Sequence, residues 1–239
     1  MIETTVVAID GPAAAGKTVV GRALAAHFGW SFFDTGVLYR ALTWRALGSE
    51  VSLNDGFALA RLAQSINIQV VPTEDPQARP YDVFVDGQDV SVEIRSPEVD
   101  SAVAHVSAHA QVRTALIDAQ RALRRPPGIV VAGRDIGTVI FPDALVKIYL
   151  DASPEVRAQR RVSERGPSSA RDAEQELKDV QSRDHRDQSR DVAPLRPAVD
   201  ATVLDTDHLT VDDVVRRAIE LIASALGCQT PVRPESGGR

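Results

Sequence analysis

Gly11-Pro12-Ala13-Ala14-Ala15-Gly16-Lys17-Thr18 constrains this chain more than any other stretch, because it fits the pattern G-x-x-x-x-G-K-[ST]. The run before it, Thr4-Thr5-Val6-Val7-Ala8-Ile9, is β-prone and apolar, as a buried parallel strand requires. After it, Val20, Ala23, Leu24 and Phe28 recur at helical spacing. Strand, glycine loop and helix therefore stand in the order of a phosphate cradle. Backbone N–H groups curl around an anion, and the helix N-terminus adds partial positive charge. In such a cradle Lys17 reaches the terminal phosphates and the Thr18 hydroxyl ligates Mg²⁺. Lys17 is also one of only three lysines against 24 arginines, so a compact point charge stands where a phosphate needs one.

The 239 residues, 44% of them hydrophobic, suffice for one larger α/β domain, and the phosphate cradle places it among three-layer parallel-sheet P-loop NTPases. A net charge of −6 disfavours nucleic acid as a partner, since phosphate affinity needs a basic surface, but a small anion needs only a local cluster of cations. The single Cys228 leaves no internal disulfide and fits a reducing compartment. No apolar run approaches a membrane span, and Glu3 replaces the basic start of a signal peptide. A cytoplasmic protein without membrane or nucleic-acid partners is expected, and a monomer.

Trp30-Ser31-Phe32-Phe33 reads as a second strand ending at Asp34-Thr35-Gly36. A helix follows, with Leu38, Leu42 and Leu47 on its apolar side, Thr35 as its N-cap and Arg40 one turn in. Ligands of open α/β sheets bind beyond the carboxyl ends of strands, so both loops should face one crevice. Position alone leaves Arg40 between a solvated helix residue and a site residue. Residues 51–110 break the βα rhythm. Ile66–Val70 alternates with period two, Pro72–Pro80 is a loop, and Tyr81, Val83 and Val85 alternate before the hairpin signal Asp86-Gly87. These features predict an insertion with a small antiparallel sheet. From Ser96 the pattern turns helical through Ile117 and includes Arg113, solvated or functional. His105 and His109 are one turn apart, which without a third ligand reads as helix surface.

Gly128–Ala132 is a continuous apolar strand that ends abruptly in Arg134-Asp135 after Gly133. Charges at the end of a central strand are costly unless they line a site. Val146–Leu150 is another core strand, with Pro154 placed to start the next helix. Residues 155–191 carry nine Arg/Lys and nine Asp/Glu. Arg183, Arg186, Asp187 and Arg190 fall at i, i+3, i+4 and i+7, one helical face. Arg157, Arg160 and Arg161 stand on an opposite limb, across a bend at Gly166-Pro167-Ser168-Ser169. With a phosphate cradle present, this reads as a lid closing over polyphosphate. Ala201–Asp205 gives a last strand, and Thr210 caps a final helix. The resulting organisation is one domain over 1–226, with core 1–50, 111–154 and 192–226, insertion 51–110 and lid 155–191. A frayed tail, 227–239, follows.

None of the three lysines lies in the guanine-reading motif of a GTP switch. Insertion and arginine lid suit a small-molecule kinase better, and the non-lid cations Arg40, Arg113 and Arg134 imply an anionic acceptor. A phosphate monoester fits, because it is already largely ionised at neutral pH and needs neutralisation instead of a base. A nucleoside monophosphate kinase follows.

Ile9-Asp10-Gly11-Pro12 with Gly16-Lys17, Asp34-Thr35-Gly36 with Tyr39-Arg40, Gly133-Arg134-Asp135 with Phe141-Pro142-Asp143, and Arg183, Arg186-Asp187, Arg190 with Ala193-Pro194-Leu195 together resemble bacterial cytidylate kinases over about residues 4–225. The resemblance implies ATP- and Mg²⁺-dependent conversion of CMP and dCMP to their diphosphates on an adenylate-kinase-like fold with a monophosphate-binding insertion. A broader UMP/CMP kinase and a regulatory nucleotide-binding protein are the alternatives. Gly11 to Val19, with Arg157 and Arg161, would bind ATP. Arg40 and Arg134, helped by Thr35, would hold the CMP phosphate, and Arg113 and Asp135 would read cytosine. Asp187 and Arg183 would meet the sugar, Lys17, Arg134 and Arg183 would stabilise the phosphates, and Arg186 and Arg190 would meet the phosphates or the base as the lid shuts. Relatives commonly carry a hydroxyl where this chain has Ala104, with Ser101 or Ser107 as substitutes.

Overall fold

The structure is a computed structural model and describes residues 4–73, 81–165 and 173–227. Its order is β1 (Thr5–Asp10), α1 (Lys17–Phe28), β2 (Ser31–Asp34), α2 (Gly36–Leu47), α3 (Gly56–Ser65), β3 (Ile68–Pro72), β4 (Tyr81–Val85), β5 (Gln88–Asp89), a 3₁₀ turn (Glu93–Arg95), α4 (Pro97–Val106) and α5 (Ala110–Arg121). Then come β6 (Gly128–Ala132), a π-type turn (Ile136–Ile140), β7 (Val146–Asp151), α6 (Pro154–Arg165), α7 (Ala173–Gln188), β8 (Thr202–Asp205) and α8 (Val211–Ala225).

Five strands form a parallel sheet in the order β2-β6-β1-β7-β8. β1 and β6 are buried along nearly their whole length, as their unbroken apolar runs require. The register pairs Ile9 with Ala132 and Ile148, and Asp34 with Ala132, so the loops after β1, β2 and β6 leave one edge side by side. Those loops carry the glycine-rich stretch, Asp34-Thr35 and Arg134-Asp135. Helices α1 and α8 pack on each other, and α1 also covers β6. The Thr210 cap is a full capping box with Asp213.

The insertion contains the expected antiparallel sheet, β3-β4-β5, turned at Asp86 and Gly87 with φ of 51° and 83°. It also contains a helix the alternation gave no hint of. α3 is capped by the Asp55 carboxylate, which accepts from the N–H groups of Phe57 and Ala58. α5 packs on α3, and the Phe33 and Tyr81 rings stack at 5.8 Å, which ties β2 to β4.

Several local expectations are corrected. Thr35 stands at the N-cap of α2, but its side chain does not cap; the hydroxyl donates to the Ala132 carbonyl, and Asp34 accepts from the Gly36 N–H instead. Leu47 is 44% exposed, since the helix turns it outward at its last residue. The helical pattern after Ser96 is two helices, broken at residues 107–109. Arg190 lies beyond the end of α7, so it shares the site with Arg183 and Asp187 without sharing their helix. The loop expected at Pro72–Pro80, the bend at 166–169 and the tail fall mostly or wholly outside the described residues.

Candidate active site

The loop between β1 and α1 has the backbone its glycines predict. A Cβ on Gly11 would lie 2.1 Å from the Leu150 carbonyl oxygen, so only glycine fits there. Gly16 has φ of 90°, and even Ala14 is held at φ of 60°. Gly11, Pro12 and Ala15 are buried behind the loop, while Ala13, Ala14, Gly16, Lys17, Thr18 and Val19 line a cleft of about 490 Å³. Lys17 Nζ donates to the carbonyls of Gly11 at 2.8 Å and Pro12 at 2.5 Å. Burial, and then the neighbouring Arg134, push its pKa well below the usual lysine range, against the pull of Asp34 and Asp10. The Thr18 hydroxyl donates to Asp34 at 3.3 Å. A hydroxyl and a carboxylate side by side at the mouth of the loop are hard oxygen donors, and they fit Mg²⁺.

Opposite the loop, the turn after β6 presents Arg134 and Asp135. Asp135 pairs with Arg113 of α5 at 2.5 Å, both side chains almost fully buried. The Arg113 guanidinium sits 5.5 Å from the centre of the Tyr39 ring. Arg134 Nε donates to Asp187 at 2.9 Å, and Asp187 also accepts from Arg190. Burial opposes the charge of Asp187, but Arg134 and Arg190 outweigh it and hold its pKa below the ordinary value. Arg183 lines the same cleft, where burial and then Arg134 push its pKa down to about 10. Thr35 and Arg40 line it too; Arg40 reaches the Ile94 carbonyl at 3.0 Å and Asp100 at 2.6 Å.

The cleft thus gathers Lys17, Arg40, Arg95, Arg113, Arg134, Arg183 and Arg190 against Asp34, Asp135 and Asp187. In a chain of net charge −6, this is a concentrated site for anions. Moreover, Nε and Nη1 of Arg190 and Nε of Arg113 are buried without a hydrogen-bond partner among the described residues. Buried donors without partners are rare in folded proteins and mark where a ligand belongs.

Not every expected residue arrives there. Arg186 donates to Ser182 within its own helix and lines, with Ser101 and Ala104, a groove between α4 and α7 that adjoins the cleft through Arg40, Val103 and Arg183. Ser107, by contrast, lines the main cleft. Arg157 is nearly fully buried, donating to the carbonyls of Ala152 and Ala13 and pairing with Asp184 at 2.5 Å, so it buttresses the glycine loop from behind. Arg161 pairs with Glu176 at 3.3 Å and lines the groove that holds Arg186. His105 and His109 bond Asn54 and the Leu53 carbonyl, tying the insertion's loop to its helices. Asp34, Tyr39 and Arg95 line the cleft without a role assigned to them from sequence, whereas Ser107 was expected there as a substitute hydroxyl. Asp34 was within reach, since it ends a strand at the sheet edge that singled out Arg134 and Asp135. Tyr39 looks like any core aromatic in sequence.

A family model described as cytidylate kinase matches residues 7–224. A cytidylate kinase of Pectobacterium atrosepticum is 45% identical over 215 residues, which cover 90% of this chain and 94% of that protein. One of Herpetosiphon aurantiacus is 46% identical over 220 residues, covering 90% and 93%. Among solved structures, an uncharacterized protein from Eubacterium ventriosum aligns with a TM-score of 0.51 at 13% identity, over 92% of this chain and 99% of that one, a likeness of fold alone. With its glycine loop, insertion and arginine-lined cleft in one frame, this chain belongs to the cytidylate kinase family.

Proposed function

We propose that the chain transfers the γ-phosphoryl group of ATP to the phosphate of CMP or dCMP, yielding ADP and CDP or dCDP. ATP lies on the loop from Gly11 to Val19. Its phosphates accept the loop's N–H groups and draw Lys17 Nζ away from the Gly11 and Pro12 carbonyls, and their charge restores the ammonium that burial disfavours. Thr18, with Asp34 beside it, would hold Mg²⁺, which would supply charge neutralisation for the transferring phosphoryl group.

CMP occupies the opposite half of the cleft. Arg40 and Arg134, with Thr35, hold its phosphate, and Arg113 and Asp135 read cytosine, whose exocyclic amine needs an acceptor such as a carboxylate. Asp187 and Arg183 meet the sugar. An oxygen of the CMP phosphate attacks the γ-phosphorus while the bond to the β–γ bridging oxygen breaks, and the electron pair leaves on ADP. No base is required, because the attacking oxygen is already ionised. The task of the protein is to bring two anions into line, with Lys17, Arg134, Arg183 and Arg190 screening their repulsion. Arg157 and Arg161 belong to the lid, 155–191, on the ATP side, and Arg186 joins the phosphates only when that lid closes.

The observation that carries this reading is the set of buried, partnerless donors on Arg190 and Arg113, converging with Arg134 on a cleft whose other wall is the glycine loop. We further propose a cytoplasmic monomer of one domain, with insertion 51–110, acting on free nucleotides and on neither nucleic acid nor membrane. No helix among the described residues is long and apolar enough to cross a membrane. The test is a coupled ADP-release assay with Mg·ATP and CMP, dCMP, UMP or AMP. Turnover with CMP and dCMP well above UMP and AMP supports the proposal. Equal turnover with UMP makes it a broader pyrimidine kinase, and none with any acceptor refutes it.

A further inference from the structure

The residue immediately before the glycine loop is a carboxylate that does not line the cleft, although its charge favours the Lys17 ammonium. Asp10 ends β1, immediately before Gly11, and is 3% exposed. It has no salt-bridge partner among the described residues. Instead each of its oxygens accepts one backbone N–H, from Ile136 at 2.8 Å and from Gly137 at 2.8 Å. These are the first two residues of the π-type turn, and Arg134 and Asp135 immediately precede them. The turn's other end is held from α5. Arg121 donates through Nε to the Ile140 carbonyl at 3.0 Å and through Nη2 to the Val139 carbonyl at 3.1 Å. Arg113, which pairs with Asp135, lies two turns earlier on the same helix.

A π-type turn leaves backbone groups poorly matched to an ordinary helical ladder, and such turns concentrate at functional sites. Here Asp135 O accepts from both Val139 and Ile140, and the N–H groups at the start of the turn depend on a side chain. A serine or asparagine caps an N-terminus without burying a charge. Asp10 is a costlier choice, as its carboxyl is pushed up to about 6, chiefly by burial and further by Asp135. What only an ionised carboxylate offers is two equivalent acceptors at fixed spacing, so that both N–H groups are gripped at once.

We propose that Asp10 and Arg121 are positioning residues for the acceptor nucleotide, clamping the two ends of the π-type turn so that Arg134 and Asp135 enter the cleft in the geometry CMP requires. The donor loop begins at the next residue, Gly11, so the clamp also joins the wall that holds ATP to the wall that reads CMP. The proposal rests on the reading that Arg134 and Asp135 contact CMP.

The test uses full-length Asp10→Asn, Arg121→Met and the double variant, assayed with CMP varied at saturating ATP and the reverse. Asparagine keeps the shape of aspartate but turns a donor toward one of the two N–H groups. Asp10→Asn is expected to raise KM for CMP about tenfold, the loss of one buried hydrogen bond, and to leave KM for ATP within about twofold. Arg121→Met, at an exposed position that does not threaten folding, is expected to raise KM for CMP about threefold with ATP again unaffected. Because both variants release the same turn, the double variant should fall short of the product of the two. An unchanged KM for CMP in Arg121→Met, equal rises in both KM values, or multiplicative effects would each overturn the proposal. If Asp10→Asn does not fold, Arg121→Met alone decides. Asp135→Ala serves as the control. Should it use CMP like the parent, the assignment of the cleft fails; should it lose CMP while the clamp variants do not, only the clamp fails.

Discussion

Removing Asp135 separates what the buried ion pair does for folding from what it does for the substrate. Asp135 and Arg113 meet at 2.5 Å with side chains 6% and 5% exposed. Truncation in Asp135→Ala leaves the guanidinium buried without its counter-charge, which typically costs about 3–5 kcal/mol. Arg113→Met strands the carboxylate in the same way. Replacing both with apolar groups should recover most of the stability, because a buried pair gains little over well-packed hydrophobic residues. Activity should behave differently. On the proposed reading the cytosine amine would then lack its acceptor, an expected loss of about 3 kcal/mol in the transition state and so about a hundredfold in kcat/KM for CMP. The double variant Asp135→Ala, Arg113→Met should therefore regain stability and not turnover. Denaturant unfolding and the coupled assay on all four proteins measure both cycles. Near-parental kcat/KM for CMP in Asp135→Ala, or recovered turnover in the double variant, would refute the reasoning.

Arg190→Ala should lower kcat by about a hundredfold, the effect of losing one charge partner to the transferring phosphoryl group, and a change confined to KM for ATP would contradict that placement. The carboxyl of Asp10 has a folded pKa of about 6 against an ordinary 3.8. Protonated Asp10 therefore favours the fold; that contribution is complete below the ordinary value and is lost as pH rises through about 6. The stability of Asp10→Asn relative to the parent should consequently improve by about 2 kcal/mol between pH 4 and pH 7, and a pH-independent gap in denaturant unfolding would show the carboxyl is not strained by burial. Ligand-free amide exchange should be faster in α6 and α7 than in β1 and β6; equal protection would argue against a lid.

The fold's frame was legible because its signals are local and redundant. The glycine loop, the apolar strands at Thr5–Asp10, Gly128–Ala132 and Val146–Asp151, and the charges that end them all imply one crevice at the carboxyl edge of a parallel sheet. Asp86-Gly87 signalled its hairpin for the same reason. What was not legible depends on partners distant in sequence. α3 has an ordinary cap but lacks a long periodic stretch, and its packing surface is supplied by α5. Arg113 could not be told from a solvated arginine until Asp135 and Tyr39 were seen around it. Thr35 matched the composition of a cap, yet the adjacent Asp34 takes the Gly36 N–H and frees the threonine to face the cleft. Arg186 shares a helical face with Arg183 and Asp187, but it lines only the adjoining groove, whereas Arg183 lines both that groove and the cleft. Helical spacing identifies a common face and does not say how far round that face a cleft extends.

The account stands on two nucleotides lying in one cleft with their phosphates meeting between Lys17 and the arginines. A single molecule with adenosine and cytidine joined through a polyphosphate bridge probes that arrangement directly, by calorimetric titration in the presence of Mg²⁺. If both halves seat together, the linked compound should bind at least about a hundredfold tighter than either ATP or CMP alone, and saturating CMP should compete with it. Affinity no greater than that of ATP alone, unaffected by CMP, would mean that the two nucleotides do not share the cleft.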